Sequence, residues 1–162
     1  MNRTDKENYY LDIAETVAER GTCLRHHFGA IIVNNDEIIS TGYYGAPRGR
    51  KNCTDLGFCT WKKHGEKDDN KIEICRSVHA ETNAIISAKR NEMFGGTMYL
   101  VGKAVSSGEY IENTTSCLMC KRMIINAGIE TVIIRDTENS FRTIEVCDWV
   151  YYDESLDRRN GH

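Results

Sequence analysis

The chain lacks any apolar run of the roughly 20 residues that a membrane-spanning helix needs. Its first residues, Met-Asn-Arg-Thr-Asp-Lys-Glu, also lack the basic start and apolar centre of a signal peptide. These two absences argue against a membrane partner and against export. We therefore expect a soluble protein of the cytoplasm.

The chain also lacks an excess of positive charge. Its 162 residues include 21 Lys and Arg against 24 Asp and Glu, so the formal net charge is -3. This balance argues against a broad surface for nucleic acid. Small basic clusters at 48–51, 62–63 and 121–122 are interpreted as ordinary solvated surface. Because no repeat or linker divides the sequence, residues 1–162 are predicted to form a single domain.

The cysteines do not have the pattern of a disulfide framework. Seven is an odd number, and the sequence has no export feature. Thiolates that are kept reduced to bind a metal explain these residues better than disulfides do.

Two short motifs indicate a chemistry. His79-Ala-Glu81 opens one amphipathic run, and Cys117-Leu-Met-Cys120 opens another. Zinc prefers imidazole and thiolate ligands in a tetrahedral arrangement, and a catalytic site leaves one of the four positions open. Cysteines at the start of a helix lie near unpaired N–H groups that favour the thiolate. His79, Cys117 and Cys120 are therefore predicted to be three ligands of a catalytic zinc ion.

Glu81 completes the pattern, because it follows His79 by two residues and can lie beside the metal without binding it. A carboxylate in that place can take a proton from an activated water molecule and pass it to a ring nitrogen and a departing amine. We assign Glu81 as the proton carrier. The two motifs in this order are the signature of zinc-dependent nucleobase deaminases.

The same residues have simpler interpretations. His79 would be a buried histidine with satisfied hydrogen bonds, Glu81 a solvated helix residue, and Cys117 and Cys120 part of a purely structural zinc site. A closed structural site normally takes four protein ligands and has no need of a carboxylate at Glu81. The catalytic interpretation is therefore favoured.

Hydrophobic periodicity predicts helices and strands along the chain. Helices are predicted at 5–20, 78–90 and 117–127, with Ser116 as the N-cap of the last one. Strands are predicted at 28–33, 38–43, 98–101, 131–134 and 141–146. The first two strands should form a hairpin, and parallel pairing is expected among the later strands because strand and helix alternate there. The end, 157–162, is predicted to be frayed.

A long loop, 44–77, and a polar insertion, 102–115, separate these elements. The loop is longer than a usual connection within a domain. The four cysteines in or beside it are Cys23, Cys53, Cys59 and Cys75. Together they would bind a second, structural zinc ion and tether the loop. Free buried thiols are the alternative, and His64 is a substitute for the fourth ligand.

With these motifs in place, the sequence resembles the cytidine deaminase-like superfamily, and most closely its deoxycytidylate (dCMP) deaminase family. The resemblance covers roughly residues 8–136. The segments that carry it are 29–33, 40–49, 79–84, 97–100, 117–120 and 127–129. It implies an α/β protein with a three-layer α/β/α fold and a mixed sheet of about five strands.

The resemblance also implies zinc on His79, Cys117 and Cys120, with Glu81 as the proton shuttle. It implies a homo-oligomer, usually a hexamer, and control by nucleotides in many members, with dCTP as activator and dTTP as inhibitor. Some members hold a second zinc ion in the long loop, and Cys23 and Cys53 match positions that are used for it.

Two residues depart from the family pattern. Tyr44 replaces an asparagine that commonly helps to hold sugar and base. Its ring can stack on a base, or its hydroxyl can form a hydrogen bond. The hydroxyl cannot replace the amide, which donates and accepts at two separate atoms. Ser116 replaces a proline. Arg90 matches a family position near the nucleotide phosphate, and Arg48 is a basic residue close to the expected pocket. A surface charge is the alternative for both, and it is favoured for Arg48.

The predicted activity is hydrolytic deamination of dCMP to dUMP and ammonia, which supplies the dTMP pathway. A basic residue such as Arg90 would hold the phosphate. The alternative among enzymes is deamination of another aminated ring in a nucleoside, a pathway intermediate or a nucleic acid. The alternative of another class is a non-catalytic zinc protein that senses nucleotides, and the intact Glu81 argues against it.

Overall fold

The computed structural model describes residues 2–64 and 71–156. In these ranges the strands are β1 His26–Asn34, β2 Glu37–Tyr43, β3 Thr97–Ala104, β4 Thr131–Thr137 and β5 Ser140–Glu145. The helices there are α1 Lys6–Ala18, α2 Cys53–Leu56, α3 Thr60–His64, α4 Lys71–Ile74, α5 Ala80–Ile86, α6 Arg90–Met93, α7 Leu118–Ala127 and α8 Val146–Tyr151. The predicted fraying of 157–162 lies outside the described residues.

The five described strands form one mixed sheet in the order β2-β1-β3-β4-β5. β1 runs antiparallel to both of its neighbours, so the predicted hairpin of β1 and β2 is confirmed. β3 and β4 are parallel, as expected. The expectation of parallel pairing is wrong for β4 and β5, which are antiparallel. A two-residue turn joins them, whereas a parallel pair needs a crossover of roughly a dozen residues.

Helices cover both faces of the sheet. Neighbouring residues of a strand point to opposite faces, so one strand packs against both layers of helices. On β1, Ile31 and Val33 pack with Leu11 and Ala14 of α1. The intervening residues, such as Ile32, pack with residues of α5 and α7 on the other face. The predicted three-layer α/β/α fold is confirmed. No helix in the described ranges is long and apolar enough to span a membrane.

The helix predicted at 78–90 is shorter in the structure. Val78 is extended and pairs with Gly45 in an isolated β-bridge, so α5 begins only at Ala80. It ends at Ile86, and Lys89 is again extended as the N-cap of the separate helix α6. The expected loop 44–77 also contains the short helices α2, α3 and α4. These changes place the start of α5 directly beside the loop.

Candidate active site

α5 is fixed against the edge of the sheet by two side-chain hydrogen bonds. The Ser40 hydroxyl donates to the carbonyl oxygen of Ala84 at 2.7 Å, and the Asn83 amide donates to the carbonyl oxygen of Tyr43 at 2.8 Å. His79 is the extended N-cap residue of the helix, and Glu81 lies in its first turn. His79 and Glu81 therefore both lie at the start of one anchored helix.

α7 presents the second motif. Cys117 has the extended backbone of an N-cap (φ -64°, ψ 164°), and its Sγ accepts a hydrogen bond from the N–H of Cys120 at 3.4 Å. The prediction that Ser116 caps this helix is wrong, because Ser116 lies one residue before the cap. Ser116 is only 2% exposed, and its hydroxyl partly offsets the rise that burial causes in the pKa of the nearby Glu81 carboxyl.

The two helix starts bring three donor atoms together. Nδ1 of His79 lies 3.5 Å from Sγ of Cys117 and 3.4 Å from Sγ of Cys120. All three atoms lie within 4.8 Å of one another. Among the described residues, no other group of three or more His, Cys, Asp or Glu side chains is this compact. The sequence predicted this convergence of residues that are 38 to 41 positions apart.

The charges at the site suit a cation. The thiol of Cys120, the imidazole of His79 and the backbone N–H of Cys120 all hydrogen-bond to Cys117 and lower the pKa of its thiol to about 4. The pKa of the Cys120 thiol is raised, because the thiol hydrogen-bonds to the Cys117 sulfur and is buried. A bound cation would favour the thiolate at both positions. Burial raises the pKa of the Glu81 carboxyl, and the Ser116 hydroxyl opposes that rise.

The donor set fits zinc. One imidazole nitrogen and two thiol sulfurs are typical zinc donors, and three protein ligands leave a fourth position open. Glu81 is 6% exposed and is not part of the compact group of three. A buried carboxyl beside an incomplete ligand set is the arrangement expected of a catalytic site, whereas a structural site would be closed by a fourth ligand.

His79, Glu81 and Cys117 line a cavity of about 360 Å³. Its aromatic lining consists of His26, Phe28 and Tyr44, and its remaining lining includes Ile111, Thr114 and Thr115. Neither Arg nor Lys occurs among the described residues that line it. Except for Tyr44, these six residues were not predicted. Thr114 and Thr115 lie in the polar insertion, whose position just before Cys117 was the one available signal.

Tyr44 lies against the candidate metal site. Its ring centroid is 5.2 Å from that of His79, with 48° between the ring planes, and 6.0 Å from that of Phe28. Its hydroxyl is 3.4 Å from Sγ of Cys75. Burial and this contact raise the pKa of the Tyr44 phenol, so the hydroxyl stays neutral. The residue that departs from the family pattern is therefore placed in the cavity.

The structure brings neither predicted phosphate ligand into the cavity. Nε of Arg90 donates to the carbonyl oxygen of Asn126 at 2.9 Å, and the guanidinium lies 5.2 Å from the ring centroid of Phe94. Arg48 is exposed in the loop after β2. Neither side chain lines the cavity.

The four cysteines of the predicted second site are neighbours. Cys23 and Cys53 are buried, and Cys59 and Cys75 are half-buried. Burial raises the pKa of the Cys53 thiol, and the nearby thiols of the other three raise it further. In the described part of the chain these sulfurs do not reach the compactness of the group around His79. His64, the substitute ligand, is exposed.

Comparison with known proteins agrees with this geometry. Residues 4–135 match the model of the cytidine and deoxycytidylate deaminase zinc-binding region. A deoxycytidylate deaminase of Mycobacterium phage D29 is 30% identical over 138 residues, which are 82% of this chain and 96% of the phage protein. That of Schizosaccharomyces pombe is 30% identical over 137 residues, 85% of this chain but 39% of the yeast protein. The chain thus spans about two fifths of the yeast relative.

A solved structure shows the same fold. The dCMP deaminase from cyanophage S-TIM5, in complex with dCMP and dUMP, aligns with a TM-score of 0.57. The two sequences are 22% identical, and the alignment covers 83% of this chain and 84% of that one. The match of the family model spans both halves of the His/Cys/Cys group. This chain therefore belongs to the family of the cytidine and deoxycytidylate deaminase zinc-binding region.

Proposed function

We propose that the chain is a zinc-dependent dCMP deaminase, a hydrolase of C–N bonds in cyclic amidines that converts dCMP and water to dUMP and ammonia. One observation carries the proposal: the donors of His79, Cys117 and Cys120 meet at one point, and His79, Cys117 and the buried Glu81 line a single cavity. The names of the phage and yeast relatives support this substrate. So does the complex of the cyanophage enzyme with dCMP and dUMP.

The metal ligands and Glu81 have separate roles in the proposed reaction. Zinc on His79, Cys117 and Cys120 would supply Lewis acidity that activates water. Glu81 takes one proton from the water molecule to the ring nitrogen as the oxygen adds to the ring carbon, and then takes the second proton, from the new hydroxyl, to the departing amine. Its burial suits this role, because the raised pKa makes the carboxylate a stronger proton acceptor than an exposed one.

The aromatic lining is proposed to hold the base. The rings of Phe28 and Tyr44 offer apolar surface to a pyrimidine, and Tyr44 closes the space next to His79. Aromatic contacts of this kind contribute about 0.5–1.5 kcal/mol beyond the area that they bury. A role of Arg48 or Arg90 toward the phosphate stays a prediction, since neither side chain lines the cavity.

A second candidate substrate is the uncharged nucleoside. The observation in its favour is that the described lining has no Arg or Lys to pair with a phosphate. Deamination of a base in a polynucleotide has less support, because the net charge of -3 argues against a broad basic surface. The chemistry is the same for all three substrates, and only the groups that hold the rest of the substrate differ.

Further properties expected from the sequence and from its family resemblance stay predictions. They are assembly into a homo-oligomer such as a hexamer, activation by dCTP, inhibition by dTTP and a cytoplasmic location. A second zinc ion on Cys23, Cys53, Cys59 and Cys75 is supported by the proximity of these thiols. Zinc stoichiometry tests it, since two ions per chain are expected, and Cys53→Ser should lower the number to one.

The test of the function is ammonia release by the zinc-loaded protein from dCMP, deoxycytidine and single-stranded DNA, with and without dCTP. Glu81→Gln should abolish turnover and keep zinc, because the amide cannot carry the proton. Glu138→Gln is the matched control at an exposed position and should leave turnover unchanged. Near-normal activity of Glu81→Gln would refute the proton-carrier role, and turnover of deoxycytidine alone would favour the nucleoside.

A further inference from the structure

We propose that the ion pair of Asp136 and Arg142 positions one wall of the cavity and thereby sets how tightly the substrate is held. The wall is the segment 111–115, from which Ile111, Thr114 and Thr115 line the cavity. The inference rests on the proposed function of that cavity. It assigns a role to the polar insertion, which the catalytic chemistry does not use.

The pair has the geometry of a fixed fork. Nε of Arg142 donates to Oδ2 of Asp136 at 2.6 Å, and Nη2 donates to Oδ1 at 3.0 Å. The Arg142 side chain is 35% exposed and the Asp136 side chain 15% exposed. Bidentate pairs between guanidinium and carboxylate are stronger and more directional than single hydrogen bonds. Both residues lie on the β4–β5 hairpin, so the sheet fixes the pair.

The pair holds the wall through the backbone. Nη2 of Arg142 also donates to the carbonyl oxygen of Thr114. Oδ1 of Asp136 accepts a hydrogen bond from the backbone N–H of Asn113 at 2.9 Å. Two consecutive residues of the wall are thus tied to one ion pair.

Asn113 has a left-handed backbone, with φ 55°. This conformation is uncommon for residues other than glycine and persists where the surroundings hold it. The N–H that Asp136 accepts belongs to this same residue. The bond therefore stabilises the turn that directs Thr114 and Thr115 to the cavity.

The other end of the wall is tied separately. The N–H of Ile111 donates to the carbonyl oxygen of Gly102 at 2.9 Å, and the Tyr110 hydroxyl donates to Oε2 of Glu15 at 2.7 Å. These contacts do not involve Asp136 or Arg142. Loss of the ion pair should therefore loosen the wall, most of all at the end that carries Thr114 and Thr115.

The consequence for function follows from where the groups lie. Thr114 and Thr115 offer hydroxyls that can donate to and accept from the polar groups of a substrate. His79 is the N-cap of α5 and Glu81 lies in its first turn, whereas the ion pair lies on the β4–β5 hairpin. A loosened wall should therefore weaken substrate binding more than it slows the proton transfers, so KM should rise while kcat changes little.

The test uses Arg142→Gln and Asp136→Asn in the zinc-loaded protein. We expect KM for dCMP to rise about tenfold with kcat within about threefold, zinc content to be unchanged, and amide exchange of 111–115 to accelerate. Arg142→Lys keeps the charge without the fork and should recover part of the loss. Lys6→Gln breaks an exposed ion pair with Asp36 elsewhere on the surface and serves as the control.

Two results would overturn the inference. One is a KM in both variants equal to that of Lys6→Gln, and the other is an exchange rate of 111–115 that matches the unaltered protein. If the unaltered protein does not turn over dCMP, the proposed function fails. Amide exchange then decides the positioning role alone, because acceleration confined to 111–115 supports it and no acceleration refutes it.

Discussion

Gly42 on β2 and Ala84 on α5 approach so closely that a Cβ atom on Gly42 would lie 2.3 Å from the backbone nitrogen of Ala84. The same atom would lie 2.3 Å from the carbonyl oxygen of Ala80. Both neighbours are backbone atoms, which cannot rotate away. The absence of a side chain at residue 42 therefore lets α5 rest on the sheet, and His79 and Glu81 with it.

Gly42→Ala should therefore destabilise the protein by about 1–3 kcal/mol, the usual cost of forcing extra atoms into a packed interior. It should also lower zinc content, because α5 has to move with His79. Urea unfolding and metal analysis measure both effects. Thr41→Ala, at the exposed neighbour on the same strand, is the control. Unchanged stability of Gly42→Ala would contradict the close packing.

Arg135 should anchor α1 to the sheet. Its side chain is 3% exposed, and Nη1 donates to Oδ1 of Asp12 at 2.8 Å and to Oε2 of Glu15 at 3.0 Å. Arg135→Ala removes these charged hydrogen bonds, whereas Glu15 keeps those from Lys103 and Tyr110, so we expect a loss of about 1.5–3 kcal/mol in the free energy of unfolding. Denaturant unfolding tests this. Arg20→Ala, at an exposed position, should change stability little.

The sequence was sufficient to predict that His79, Cys117 and Cys120 come together, because their signal is local. Cys117 and Cys120 are spaced to share one helix start, and His79 and Glu81 to share another, whatever the rest of the fold does. The helix cap was predicted wrongly because the two possible helix starts, after Ser116 or after Cys117, differ by only one residue. Both types of side chain can accept a backbone N–H, so composition does not separate them.

The residues that the sequence did not reveal depend on distant contacts. Thr114 and Thr115 line the cavity because Asp136 and Arg142, more than 20 residues later, hold the backbone before them. Arg90 matched a family pattern, yet its Nε donates to the carbonyl oxygen of Asn126, 36 residues later. Neither placement has a signature in periodicity or spacing, since both follow from groups that meet only in the folded chain.

Tyr44 should affect substrate binding mainly through its ring. Tyr44→Phe keeps the contact with His79 and loses only the hydroxyl contact with Cys75, so KM for dCMP should change less than about threefold. Tyr44→Ala removes the ring and should raise KM about tenfold, in line with an aromatic contact of about 1–3 kcal/mol to a base. Steady-state kinetics separate the two. A larger effect of Tyr44→Phe would show that the hydroxyl binds the substrate.

Asp136 should make part of the stability of the folded protein depend on pH. The hydrogen bonds from Arg142 lower the pKa of its carboxyl below the usual 3.8. A carboxyl with a lowered pKa in the folded state stabilises the protein above its unfolded pKa, and this contribution is lost as pH falls through the folded pKa. Asp136→Asn should therefore be less stable than the unaltered protein at pH 7, and the difference should shrink below about pH 4. Urea unfolding of both proteins from pH 7 to pH 3 measures it, with Glu138→Gln as the exposed control. A difference that stays constant over this range would contradict the ion pair.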